Sequence, residues 1–358
     1  MCTDAITFKE REPIEIAMRK LPKSLDLTDM RSMVSHFAQL LTLTDIDLEN
    51  IERAREFNEQ GIEGLCFVGM GGSAIVGDYV REVLCHEALI PICTVRDYIL
   101  PKYVTKDWAI VAVSYSGNTE ETLSALKQAN ERGAKILTIT SGGQMKSEYS
   151  HHPQLLIQKG LQPRAALPLL FSGTLEISQS LTGLNPTNLD DIAKGLTTAA
   201  EKWGDWIPSP SATAGKIHGR IPLFIGGRYM KPVAYRAKCQ VNENSKMMAF
   251  SSEVPEAMHN EIEGLQGKHQ GFVLPVFLRY EDEPLQAGRQ LDAIVDLCIE
   301  LELDPISLKA SGRSIVERML TLTHYLDMLS VELAEMQRVD ALSVERISLL
   351  RKKLSTRS

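Results

Sequence analysis

The chain has 358 residues, 44% of them hydrophobic and 24% charged, the balance of a globular protein long enough for two cores. Its 39 Lys and Arg against 46 Asp and Glu leave a net charge of −7, which excludes the electrostatic footprint expected for nucleic acid or an anionic membrane. A small anionic ligand would need a local trap.

The opening residues, Met1 to Glu10, turn polar and acidic before any apolar stretch develops, and no later run approaches about eighteen apolar residues. Neither export nor membrane spanning is expected, and the chain reads as cytoplasmic. Cys2, Cys66, Cys85, Cys93, Cys239 and Cys298 are dispersed without a C-x-x-C pair and read as reduced, buried small side chains.

Residues from about 12 to 60 read as helical, with Asp29 or Asp45 as N-caps. The first strand signal is Leu65-Cys66-Phe67-Val68, followed by a glycine-rich turn and a helix. Further apolar runs close at Val95 and span Ala109–Val113 and Lys135–Thr140, each separated by helical or loop sequence. Strands alternating with helices predict a parallel, doubly wound sheet. The stretch 203–215, rich in Gly, Pro, Ser and Ala, is the best composition break and is expected to link two units, 1–202 and 216–358. Pro222–Gly227 repeats the apolar-run-into-glycine pattern of Leu65–Gly72, so two related α/β lobes are expected. Ile315, Met319, Leu322, Leu326, Leu329, Leu333 and Met336 then mark one face of a long helix, a core or lobe-packing stripe with a dimer seam as the alternative. A last helix, about Ser343 to Leu354, ends in basic residues suited to a helix C-terminus.

Gly69-Met70-Gly71-Gly72-Ser73-Ala74 sits directly after a strand and opens a helix. As G-x-G-x-x-A, with Asp97 further on, it satisfies a dinucleotide fingerprint. The rival reading is a tight turn whose N–H groups and hydroxyl face a phosphate at the positive helix end. Ser114-Tyr115-Ser116-Gly117-Asn118-Thr119 favours the rival, because three hydroxyls and a glycine fall at a second strand-to-helix turn where capping alone needs one. Two turns converging on one anion suit a sugar monophosphate. Each helix end is worth about 0.3–1 kcal/mol to an anion, so no lysine cluster is required.

Glu243, in Gln240–Lys246, and His259, in Ser252–Glu261, stand either side of a turn-prone loop and could converge on one substrate. Taken singly, an exposed helix-end Glu and a loop His are ordinary. Taken in order, Gly71-Gly72-Ser73, Ser114–Thr119, Pro163-Arg164-Ala165-Ala166-Leu167, Asn242-Glu243-Asn244 and Pro255–Asn260 resemble the bifunctional phosphoglucose/phosphomannose isomerase family of the sugar isomerase (SIS) superfamily. The likeness covers about residues 60 to 350. It implies two SIS-type lobes, each a parallel sheet flanked by helices, with helical N- and C-terminal segments, in a homodimer with sites at the subunit interface. It implies interconversion of glucose 6-phosphate, and often mannose 6-phosphate, with fructose 6-phosphate, without metal or cofactor. Gly71, Gly72, Ser73, Ser114, Ser116 and Thr119 would hold phosphate, Arg164 would stabilise the enediolate, Glu243 would move the proton, and His259 would assist ring opening. The residue types suit that chemistry: a carboxylate base, a permanently charged guanidinium and a neutral-range imidazole.

Two positions near the C-terminus bear on the sugar. Ser330 stands where the family carries Thr or Ser, leaving room for either C2 epimer. Gln337 stands where a ring-opening Lys or Arg is expected; Arg338, one position on, could substitute, but on a helix that step turns the side chain by about 100° and could point it away. Other readings remain: an isomerase of another sugar phosphate, a sugar-phosphate sensor, a dinucleotide oxidoreductase, or a metal-dependent isomerase using His151-His152 or His259 and Glu261. The first 60 residues lack a basic recognition helix, and no H-x-x-x-H pair or comparable cluster occurs.

Overall fold

The structure, a computed structural model, describes residues 19–266 and 270–356. Cys2 and the helical reading of residues 12–18 lie outside the described residues. Helices α1 (Met30–Ser35), α2 (Phe37–Leu41) and α3 (Leu48–Glu59) precede the first sheet. Asp29 caps α1, but α3 is capped by Asp47, which accepts from the Asn50 N–H at 2.7 Å. Asp45 is instead paired with Arg19 at 2.9 Å.

Strands β1 (Gly64–Val68), β2 (Ile92–Val95), β3 (Trp108–Ser114), β4 (Lys135–Thr140) and β5 (Gln154–Leu156) form a parallel sheet in the order β2-β1-β3-β4-β5. Helix α4 (Gly71–Leu84) joins β1 to β2, α5 (Glu120–Glu131) joins β3 to β4, and α6 (Gly143–Glu148) joins β4 to β5. β1 and β3 are buried along their whole length, as the middle strands of a sheet covered on both faces must be. The strand order is of the flavodoxin type rather than the dinucleotide order, with its switch point between β1 and β3. Right-handed crossovers carry α4 and α5 to opposite faces, so the turns leaving β1 and β3 open one crevice at the carboxyl edge.

Helices α7 (Leu167–Thr182), α8 (Leu189–Glu201) and α9 (Pro210–Ile217) follow. The segment 203–215, expected as a link, thus contains the start of a helix, with Ser209 accepting from the Ala212 N–H at 3.2 Å and Pro210 in the first turn. The second sheet, β6 (Ile221–Gly227), β7 (Phe250–Val254), β8 (Val273–Tyr280) and β9 (Ile306–Ala310), is also parallel, in the order β7-β6-β8-β9. It repeats the first sheet's order without a fifth strand. Helix α10 (Lys231–Asn244) joins β6 to β7, α11 (Leu285–Glu300) joins β8 to β9, and α12 (Ile315–Gln337) and α13 (Glu345–Ser355) end the described chain.

The apolar stripe on α12 understates its burial. Every residue from Met319 to Val331 is buried, because α12 packs against α1, α8, α9 and α10 together, while Met336 at its end is exposed. Its polar residues are matched inside the protein: Asp327 accepts two bonds from Arg236 (3.0 and 2.6 Å), and Thr323 pairs with Tyr79 at 2.8 Å. One apolar core runs from α1 and α2 through α7 and α12 to β6 and β8, fixing the two sheets to each other. Cys66 and Cys298 are buried as expected, but Cys93 and Cys239 are half-buried and Cys85 is exposed.

Candidate active site

The two turns at the switch point are in contact. The Tyr115 N–H donates to Ser73 Oγ at 3.2 Å, leaving the Ser73 proton free to donate into the crevice. Ser116 and Gly71 are exposed, and Thr119 and Ser73 are half-buried. Ser114 is buried and its hydroxyl is used locally, bonded to Thr119 Oγ1 and accepting from the Gly117 N–H, both at 3.1 Å. Gly117 has φ +69, and a Cβ there would lie 1.8 Å from the Gly142 carbonyl oxygen, so the turn tolerates no side chain.

Arg164 joins these turns to the rest of the site. Its Cα lies 3.6 Å from where a Gly72 Cβ would stand, while its guanidinium reaches the end of α10. There Nε donates to Asn244 Oδ1 at 2.6 Å and Nη1 faces Glu243 Oε2 at 3.7 Å. Only 5% of the Arg164 side chain is exposed against 34% of Glu243, so the cation is fixed and the carboxylate opens to solvent. Burial pushes the Arg164 guanidinium down and Glu243 opposes it; the group remains a cation near neutrality. Asn244 is held in turn by donating to Ser330 Oγ at 2.8 Å, and Ser330 donates to the Asp327 carbonyl. Ser330 is fully buried, joined to Arg164 through Asn244.

Lys246, three residues beyond Glu243, has a left-handed backbone (φ 57) that costs a non-glycine residue roughly 1–2 kcal/mol. Its ammonium offsets that cost by donating to the carbonyls of Glu243 (2.6 Å), Ser343 (2.8 Å) and Asn244 (3.3 Å). Two of these are orphan acceptors at the end of α10, and the third belongs to the loop after α12. Arg164 Nη2 binds the same loop at the Ala341 and Leu342 carbonyls. Gln337, half-buried, is the last residue of α12, and Arg338 is its exposed left-handed C-cap (φ 54). Neither has a hydrogen bond or ion pair to Glu243 or Arg164 among the described contacts.

His259 is not brought to Glu243 within one chain. A crossover helix runs antiparallel to its strands, so Glu243 at the C-terminal end of α10 lies at the amino edge of the second sheet. His259 follows β7 at the carboxyl edge, and the five residues of β7 separate the edges by roughly 17 Å at about 3.3 Å per residue. The imidazole is exposed on its turn. A loop joining the two residues in sequence says nothing about which sheet edge each one occupies.

Residues 209–354 match the family described as bacterial phospho-glucose isomerase C-terminal SIS domain, and residues 63–159 match the SIS domain. The bifunctional phosphoglucose/phosphomannose isomerase of Aquifex aeolicus is 32% identical over 296 residues, covering 82% of this chain and 90% of its own. The chain belongs to the bifunctional phosphoglucose/phosphomannose isomerase family. The Caldicellulosiruptor bescii member is likewise 32% identical, over 86% of this chain and 96% of its own. In fold, the chain is similar to the tagatose-6-phosphate ketose/aldose isomerase of Escherichia coli, with a TM-score of 0.71 at 15% identity over 91% of this chain and 98% of that one. Both sheets, with their flanking helices, are SIS-type. Among the described residues no helix is long and apolar enough to cross a membrane.

Against that family background, Lys246 and Asn244 are the site residues that sequence reasoning passed over. Both lie inside the motif that drew attention to Glu243. The available signal was a lysine just past a helix C-terminus, a position suited to orphan carbonyls.

Proposed function

We propose that this chain interconverts glucose 6-phosphate and mannose 6-phosphate with fructose 6-phosphate through a cis-enediol, with Glu243 as the base. The observation that carries the reading is Arg164, whose backbone abuts the Gly72 turn while its guanidinium faces Glu243 at 3.7 Å. A sugar phosphate anchored at the switch-point turns would reach this pair with its other end. The Gly71 and Gly72 amides and the Ser73, Ser116 and Thr119 hydroxyls hold the phosphate, and Ser114 shapes the second turn. Glu243 takes the C2 proton of an aldose and returns it to C1 on the same face. Arg164 neutralises the oxyanion that develops at O1 and O2, in a buried setting where its charge is little screened. Ser330 meets the sugar only through Asn244, which it holds at 2.8 Å, and its small side chain leaves room behind that contact for either C2 epimer.

Ring opening needs a further proton donor and acceptor. All three donors of Lys246 are engaged with carbonyls, so it is not that group. The separation of His259 from Glu243 supports a homodimer in which the partner's His259 serves this site. The reaction belongs to cytoplasmic carbohydrate metabolism, at the entry of glycolysis or the end of gluconeogenesis.

The test is conversion of fructose 6-phosphate to both aldose phosphates by purified protein in excess chelator, beside Glu243→Gln. Wild-type turnover, reduced by at least ~10²-fold in the variant, is expected. Binding of these sugars without conversion by wild type would overturn the reading and leave a sugar-phosphate sensor lacking the charge expected at Gln337.

A further inference from the structure

Far from the crevice, the other end of α4 carries Glu82, Cys85 and His86, a carboxylate, a thiol and an imidazole at i, i+3 and i+4. That spacing puts all three on one side of the last turn. Their ligating atoms lie within 4.8 Å of one another. E-x-x-C-H lacks the paired histidines by which a metal site is recognised in sequence. We propose that this turn is a binding site for a soft divalent cation of the zinc class, independent of the isomerase chemistry.

The donor set decides the class of ion. Thiolate and imidazole discriminate against Mg²⁺ and Ca²⁺, which take oxygen ligands, and three protein ligands leave a fourth tetrahedral position to water. With bonds of about 2.0–2.3 Å, a tetrahedral ion needs its ligand atoms roughly 3.3–3.8 Å apart. The three side chains must therefore draw in by at most roughly 1–1.5 Å, which Cys85 and His86, both exposed, do by giving up the Cys85 Sγ contact with the Glu82 carbonyl at 3.8 Å and the His86 contact with Arg228. The C-terminal end of α4 also presents its negative pole to the ion.

Two guanidinium groups stand where the ion would act. Arg81 pairs with Glu82 at 3.2 Å, and Arg228 Nη2 lies 3.3 Å from His86 Nε2 while packing on the Tyr229 ring at 5.1 Å. Arg228 belongs to the turn after β6, so its contact with His86 joins the second lobe to the first. A bound cation takes the place of Arg228 at His86. The site thereby exchanges a lobe-to-lobe hydrogen bond for metal ligation.

Titration of the reduced, full-length protein with Co²⁺, followed by the thiolate-to-metal absorption band and by its displacement with Zn²⁺, tests this. One equivalent is expected to bind in the micromolar range. Since even outer-shell partners change metal affinity about 10–100-fold, Cys85→Ser and His86→Gln should each weaken binding at least ~10-fold. Arg228→Gln should tighten it about threefold by removing a competing charge. The side chains of Cys85, His86 and Arg228 lie at the surface or near it, so the variants should melt as wild type does and a lost band cannot be charged to unfolding. Absence of a band at millimolar Co²⁺ overturns the proposal. So does a band that survives Cys85→Ser and disappears in Cys93→Ser, which would assign the ion to the neighbouring Cys66 and Cys93 on β1 and β2.

Discussion

His324, near the middle of α12, is buried beneath Phe37 and Trp203, with ring centroids 5.1 and 5.0 Å away. The ring is bonded to the Val34 backbone and its Nε2 has no partner. Burial pushes its pKa down to about 4, against 6.5 for an unperturbed imidazole. Between these values the unfolded chain binds a proton that the folded chain refuses, so this residue's contribution to stability is complete above pH 6.5 and is lost as pH falls toward 4. At about 1.4 kcal/mol per unit, the loss accumulates to roughly 3 kcal/mol at the lower end. His324→Phe keeps an aromatic ring in the stack and removes the titration. Urea unfolding of both proteins from about pH 7 down to 4 should show their stability difference shifting by roughly 3 kcal/mol in the variant's favour. Carboxylates titrate in both proteins and cancel in that difference. Parallel stability curves would refute the reasoning and show that the native ring is protonated or hydrated.

Two predictions concern the site. Lys246→Met removes the ammonium that ties the α10 end to the loop after α12, each charge-assisted bond being worth about 1.5–3 kcal/mol; kcat for fructose 6-phosphate should fall at least ~10-fold with KM changed little, and an unchanged kcat would remove Lys246 from Glu243 positioning. Gly117→Ala forces a methyl into the Gly142 carbonyl and should raise KM, or the Kd for inorganic phosphate, by at least ~10-fold. Phosphate affinity equal to wild type would show that the second turn does not hold the anion.

The sheets and their turns were legible because central parallel strands are short apolar runs and the turns leaving them need glycines and hydroxyls. The long helix was legible only in part. Thr321, Thr323, His324, Asp327 and Ser330 look solvent-facing in a hydropathy pattern, and their burial follows from helices that pack on every side of α12. Asp45 and Asp47 both suit a cap by residue type, and which of them caps α3 follows from the helix starting at Leu48. The separation of His259 from Glu243 depended on the direction of β7, which no residue spacing encodes.

Arg164 and the turns leaving β1 and β3 precede the connection at Trp203, and Glu243, Lys246 and Ser330 follow it, yet Asn244 links Arg164 to Ser330 in one chain of bonds. With the roles proposed above, a gene divided at that connection would give a first half with an anion trap and no base, and a second half with a base and nothing to hold the substrate. Catalysis could return only when the halves met, so turnover in the mixture would count assembled molecules directly.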